Sequence, residues 1–190
     1  AGSVLNFKLG HGIKSVEFGG IRDVNVTGNE EDNYIIGNDG NNKIYGGAGD
    51  DVLLAGDGND TIKGGSGDDV LDGQDGADKV YGQRGDDIVV ATGSEDLTAL
   101  DLISGGSGDD VLVDAANKTS GEVVIVAGSG NDTISFGASR TNVDYQDGAP
   151  VSENTYTDRQ INAHLIDLSK NDSLDIKAIS SVGEATMPTT

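Results

Sequence analysis

Gly64-Gly65-Ser66-Gly67-Asp68-Asp69-Val70-Leu71-Asp72 is one unit of a nine-residue beat that runs through the centre of the chain. Working outward, Ala55 to Lys63 and Gly46 to Leu54 precede it in phase, and Gly73 to Tyr81 and Gly82 to Val90 follow. The eighth position is always a branched aliphatic: Val26, Ile35, Ile44, Leu53, Ile62, Leu71, Val80 and Val89. The sixth begins as an amide and becomes a carboxylate: Asn33, Asn42, Asp51, Asp60, Asp69, Asp78 and Asp87. One apolar and one acidic residue in fixed register marks a solenoid, in which each repeat is a supersecondary unit that buries its core only against its neighbours. A disordered Gly/Asp-rich linker would have the composition but not the phase.

Each position of the unit has a physical role. Glycine crowds the first, second and fourth positions, where a backbone without Cβ can enter crowded or left-handed conformations, so the first six residues are expected to form a tight turn. The last three, such as Val70-Leu71-Asp72, alternate outward, inward, outward as a short strand, with only Leu71 and its equivalents pointing in. Two units would close one coil with a strand on each of two facing parallel sheets. Asp51, Asp69 and Asp87 then stack along one edge, and Asn42, Asp60, Asp78 and Asp96 along the other. Stacked carboxylates repel one another unless a cation lies between them. One buried aliphatic per nine residues is also too small a core to offset the entropy of ordering the unit. Carboxylates and turn carbonyls form a hard, all-oxygen ligand set that favours calcium over zinc or copper. Magnesium suits it less, because it keeps its waters and demands stricter octahedral geometry.

The pattern Gly-Gly-x-Gly-x-Asp-x-aliphatic-x resembles the RTX, or hemolysin-type, calcium-binding repeat. Gly46 to Leu54, Gly64 to Asp72 and Gly105 to Val113 match it at every position. The resemblance implies an all-β fold, a right-handed parallel β-roll with calcium held between successive coils by sixth-position side chains and turn carbonyls. Carried onto this chain, it implies sites at Asp51/Asp69, Asp60/Asp78 and Asp69/Asp87, with weaker ones at Asn33/Asp51 and Asn42/Asp60, where an amide offers only a neutral oxygen. The carbonyls would come from the turn glycines Gly47, Gly49, Gly56, Gly58, Gly65, Gly67, Gly76, Gly85, Gly106, Gly108, Gly128 and Gly130. Asp87/Asp110 and Asp110/Asp132 would extend one row, for roughly five to eight ions in all.

The beat is interrupted after Val90. Counted forward, residues 91–104 keep Asp96 in the sixth position, put Thr98 inward and add residues before Gly105; Asp96 would then face Thr119. Residues 114–126 form a longer unit carrying Val123-Val124-Ile125-Val126, and Ala127 to Ser135 is nearly regular again. The expected organisation is an N-terminal cap over 1–27, with strands around Val16 and Val24; a calcium-binding roll over 28–135 with insertions near 91–104 and 114–126; and a C-terminal cap over 136–190. In that last segment His164 to Leu168 and Ser173 to Ile176 read as strands joined by an acidic turn.

Composition bounds the rest. The formal charge of −21 makes nucleic acid an unfavourable partner, and about seven calcium ions would still leave roughly −7. With no cysteine, metal would take the stapling role that disulfides play in small secreted domains. No stretch is long and apolar enough for direct membrane insertion. Catalysis has little to draw on: there is no His-Glu-x-x-His, no Gly-x-Ser-x-Gly and no phosphate loop, and the two histidines, His11 and His164, read as structural. The chain therefore reads as a non-enzymatic module of a secreted or cell-surface bacterial protein, an adhesin or surface-layer component, with neighbouring domains or copies as further partners. The alternative is the C-terminal calcium module of a secreted protease, lipase, epimerase or pore-forming toxin. The resemblance also implies export through a type I channel.

Overall fold

Period-nine phasing of Val, Ile and Leu has one compact solution, a coil of two units, and the computed structural model adopts it. It describes residues 4–92, 100–114, 122–136, 142–145, 162–166 and 173–176. Two parallel sheets face each other, and no helix occurs among the described residues. The nine-stranded sheet runs Leu5–Lys8, Val24–Thr27, Lys43–Ala48, Thr61–Ser66, Lys79–Arg84, Leu100–Ser107, Glu122–Ser129, Asn162–Ile166 and, outermost, Asn142–Tyr145. The eight-stranded sheet runs Ser15–Glu17, Tyr34–Ile36, Val52–Asp57, Val70–Asp75, Ile88–Ala91, Val111–Asp114, Thr133–Phe136 and Ser173–Ile176. This is the expected parallel β-roll.

The register follows the eighth-position aliphatics. Ile44 pairs with Ile62, Ile62 with Val80, Val80 with Ile103 and Ile103 with Ile125 on one sheet. Ile35, Leu53, Leu71, Val89, Leu112 and Ile134 do the same on the other. All are buried, and together they form the single-file core. Two sequence expectations are corrected. The strands in the regular coils are six residues rather than three, because pairing continues through the first three positions of the following unit, as in Val52–Asp57. The first position therefore also faces inward, and Ala55, Ala91 and Ala127 are buried beside the aliphatics.

Pairing survives into the glycines because the second position takes a positive φ, 126° at Gly47 and 133° at Gly65, which bends the chain toward the turn without breaking register. A Cβ on Gly65 would overlap the Gly47 carbonyl oxygen one coil back. Gln74 and Gln83 occupy the same position at φ 67° and 89°, and they are the two non-glycine residues with positive φ among those described.

The interruption after Val90 is resolved differently from the forward count. Strand Leu100–Ser107 pairs with Lys79–Arg84 so that Ile103 faces Val80. The added residues thus precede the strand, Ile103 fills the inward slot and Asp101 fills the sixth. Asp96, Thr98 and Thr119 lie outside the described residues. Counting back from Gly105 would have given this register.

Both sheets continue into the segments expected to cap the roll. Leu5–Lys8, which the sequence reading did not single out, pairs with Val24–Thr27, and Ser15–Glu17 pairs with Tyr34–Ile36. Leu5, Val16 and Phe18 pack on the core end, with the Phe7 ring 4.7 Å from that of Phe18. At the far end Asn162–Ile166 and Ser173–Ile176 lie on opposite sheets, so the two strands do not pair with each other as a hairpin.

Candidate metal rows

Between strands the chain turns on positions four to six, and the two families of turns form the two long edges of the roll. One edge stacks Asn33, Asp51, Asp69, Asp87, Asp110 and Asp132; the other stacks Asn42, Asp60, Asp78 and Asp101. Every one of these side chains is buried. The second edge stops at Asp101, because the next residue in register is the buried Val123.

Each sixth-position aspartate is held by the coil before it. Asp69 Oδ1 accepts the Asp51 N–H at 2.8 Å, Asp87 Oδ1 that of Asp69 at 2.9 Å, Asp110 Oδ1 that of Asp87 at 2.9 Å and Asp132 Oδ1 that of Asp110 at 2.9 Å. On the other edge Asp60 receives Asn42, Asp78 receives Asp60, and Asp101 receives Asp78 at 3.0 Å. One oxygen per carboxylate is thereby fixed in position. The other, Oδ2 of Asp51, Asp60, Asp69, Asp87 and Asp110, is buried with no hydrogen-bond partner. A buried carboxylate oxygen without a partner is costly, and such atoms call for an ion or a proton.

What faces those oxygens is carbonyl. A Cβ built on Gly46 would collide with Asp51 Oδ2 and come within 2.7 Å of the Gly64 carbonyl oxygen, one coil on. The same construction on Gly64 meets Asp69 Oδ2 and, at 2.8 Å, Gly82 O; on Gly82 it meets Asp87 Oδ2 and Gly105 O at 2.6 Å; on Gly105 it meets Asp110 Oδ2 and Ala127 O at 2.6 Å. The first-position glycine thus leaves space where a carboxylate oxygen and a carbonyl oxygen from the next coil approach each other. The carbonyls of the second- and fourth-position glycines lie against the equivalent glycine one coil on: Gly47 under Gly65, Gly49 under Gly67, Gly58 under Gly76, Gly67 under Gly85, Gly85 under Gly108, Gly106 under Gly128 and Gly108 under Gly130. Gly56 stacks in the same way over the Asn38 carbonyl. Among the described residues no three acidic or histidine side chains converge on one point. An ion in either row would therefore take its remaining oxygens from the main chain, and this donor set fits calcium.

Burial sets the electrostatics. Removal from water pushes the Asp60, Asp69 and Asp87 carboxyls up to about 7, and those of Asp51 and Asp110 up to about 6. The accepted N–H opposes the rise in each case, while neighbouring aspartates add to it. A divalent cation reverses the balance and holds the carboxylates ionised.

The two asparagines differ from the aspartates and from each other. Asn42 Oδ1 accepts the Val24 N–H at 3.1 Å, as an aspartate Oδ1 would, so its Nδ2 takes the place of Oδ2. That group donates to the carbonyls of Asn38 at 2.9 Å and Ala55 at 3.2 Å, and Ala55 is the first-position residue of the next coil. Asn33 is turned the other way: Oδ1 accepts the Asn29 N–H, while Nδ2 donates to Asn29 Oδ1 and Ile13 O.

A second ladder runs outside the first, and the sequence reading gave it no role. Fifth-position Asp and Asn side chains accept the N–H of the following coil: Asp32 from Asp50, Asp50 from Asp68, Asp68 from Asp86, Asp86 from Asp109 and Asp109 from Asn131. On the other edge Asp23 receives Asn41, Asn41 receives Asn59, and Asn59 receives Ala77, whose methyl ends the series. The signal was present as Asp or Asn at the fifth position of nearly every unit.

Comparison with known proteins agrees with this geometry. The family profile described as the RTX calcium-binding nonapeptide repeat matches four times, over residues 27–62, 54–89, 100–113 and 119–140, just over half of the chain. No curated protein matches, and no solved structure does. With a profile that names calcium, and with buried carboxylate oxygens that face carbonyls in register, the chain belongs to the RTX calcium-binding nonapeptide-repeat family.

Proposed function

We propose that this calcium-binding roll is a folding switch and rigid spacer in a secreted bacterial surface protein, an adhesin or surface-layer component, and is not itself a catalyst. The observation that carries the reading is the row of buried Oδ2 atoms with no partner in the protein. Calcium at extracellular levels would fill the rows and stabilise the fold by mass action. At cytosolic levels the carboxylates repel one another, and the thin core cannot hold the coils together, which keeps the chain unfolded for export. The engagement of the central aspartates by the neighbouring coil through Oδ1 supports a structural role for the rows. A second reading, the calcium module of a secreted enzyme or toxin, uses the same chemistry; a catalytic or pore-forming domain in the parent gene would favour it.

Circular dichroism with calcium and then with excess EGTA tests the switch. A β spectrum that loses most of its amplitude on chelation and regains it with calcium is expected. An unchanged β spectrum in EGTA would overturn it.

A further inference from the structure

The two sheets present unlike faces to solvent. On the eight-stranded sheet the outward positions of the central strands are mainly aliphatic, Val52, Leu54, Val70, Ile88, Val90 and Val111, with Asp72 among them. On the nine-stranded sheet they alternate cation and phenol. Lys43, Thr61 and Lys79 are aligned across three neighbouring strands, and Tyr45, Lys63 and Tyr81 are aligned beside them. Arg84 stands at the end of the third strand, and the floor next to these columns carries no side chain at Gly47 and Gly65. The result is an open trough of about 1090 Å³ running across the strands, with no acidic residue in its lining.

This concentration is unexpected in a chain of charge −21, because the trough holds four of its 12 lysines and arginines. The fold does not use them. Among the described residues none of the four forms an ion pair, and their one aromatic contact is Lys63 Nζ at 5.9 Å from the Tyr81 ring centre. Tyr45 is exposed.

We propose that this face binds a linear acidic polysaccharide. The charge is complementary to sugar carboxylates, the exposed Tyr45 ring and the half-buried Tyr81 ring can stack on the apolar faces of pyranoses, and Thr61, Gln83, Ser104 and Ser107 supply hydrogen-bonding groups for hydroxyls. Equivalent lysines recur at two strand spacings, roughly 10 Å, which is the scale of a disaccharide and suits a repeating polymer better than a compact partner. The stripe is too small to overcome the repulsion between the rest of the chain and the dense phosphates of nucleic acid.

The test is calorimetric titration of the calcium-loaded module with hyaluronate oligosaccharides, alongside neutral dextran and single-stranded DNA. Binding of hyaluronate alone is expected. It should fall at least about tenfold in the Lys43→Gln/Lys79→Gln double variant and several-fold in Tyr45→Ala, with Val70→Gln on the opposite face unchanged. Thr61→Lys, which exchanges one hydroxyl for a charge between Lys43 and Lys79, should tighten it. Equal affinity for dextran, equal or tighter binding of DNA, or hyaluronate binding indifferent to all of these substitutions would overturn the proposal. So would the finding that the face is covered by a second copy, seen as a calcium-loaded dimer that the lysine double variant dissociates.

Discussion

The Asn42 turn and the Asp60 turn are stacked on one edge, one coil apart, and differ by a single side-chain group. In both, Oδ1 accepts a main-chain N–H from the preceding coil. At Asn42 the second group is an amide that donates to the Asn38 and Ala55 carbonyls. At Asp60 it is a buried oxygen with no partner. Near the N-terminus, then, the amide does with two hydrogens what the central coils leave to a cation. The difference teaches that calcium dependence is written turn by turn, and that the metal-free roll has a hydrogen-bonded beginning and an uncompensated middle.

The largest effect is expected from the middle. Asp69→Ala removes the acceptor of the Asp51 N–H and the buried Oδ2 that is expected to serve two neighbouring sites, so it should lose at least about 3 kcal/mol of calcium-loaded stability. Calorimetric titration should show weakening beyond one ion; an undiminished count and affinity would break the shared row. Asp69→Asn sharpens the comparison, because it should also weaken calcium binding yet leave more β structure in EGTA than Asp69→Ala does.

The reciprocal change is smaller. Asn42→Asp exchanges two donated hydrogen bonds for one more uncompensated oxygen. It should cost about 1–3 kcal/mol without calcium and recover this with calcium, visible as one additional ion in titration. If the variant is as stable in EGTA as the parent, the amide is not what closes that turn.

The proton probes the same central coils without a substitution. The carboxyls of Asp60, Asp69 and Asp87 are raised to about 7 in the fold, well above the ordinary value of 3.8 that the unfolded chain approaches. Between these values the metal-free folded state binds more protons than the unfolded one, so its stability rises as pH falls from about 7 toward 4. In EGTA, acidification from pH 8 to pH 5 should increase β ellipticity, while calcium affinity drops over the same range because the ion displaces protons. A calcium-free spectrum indifferent to pH would separate the burial of these groups from the folding of the turns.

Much of this was legible in the sequence. One aliphatic per nine residues fixed the coil, both sheets and the register from Ile35 to Val89, because a thin core leaves few alternatives for its only apolar side chains. The stacking of Asp51, Asp69 and Asp87 followed from the same count. Asp101 was missed because a forward count assigns an insertion to the wrong side of a strand, whereas Gly105 anchors the register from the other direction. Strand length was underestimated at the glycines, which read as turn but carry pairing when φ is positive. The donor side of Asn42 was not legible at all, since an amide offers oxygen and nitrogen alike and only the Val24 N–H determines which faces the row.

The two side-chain ladders point in opposite directions along the roll: the fifth position receives from the coil ahead, the sixth from the coil behind. Along the Asp51–Asp132 edge every interior coil therefore gives and takes at its turn, while a coil at an open end lacks one of its two neighbours. Melting in the middle would break both ladders on both sides, and peeling from an end breaks only one junction. Such a roll should come apart as a zipper does, from its ends, and strands that continue the sheets beyond the ladders, such as Leu5–Lys8, would act as the stops that keep the slider from running.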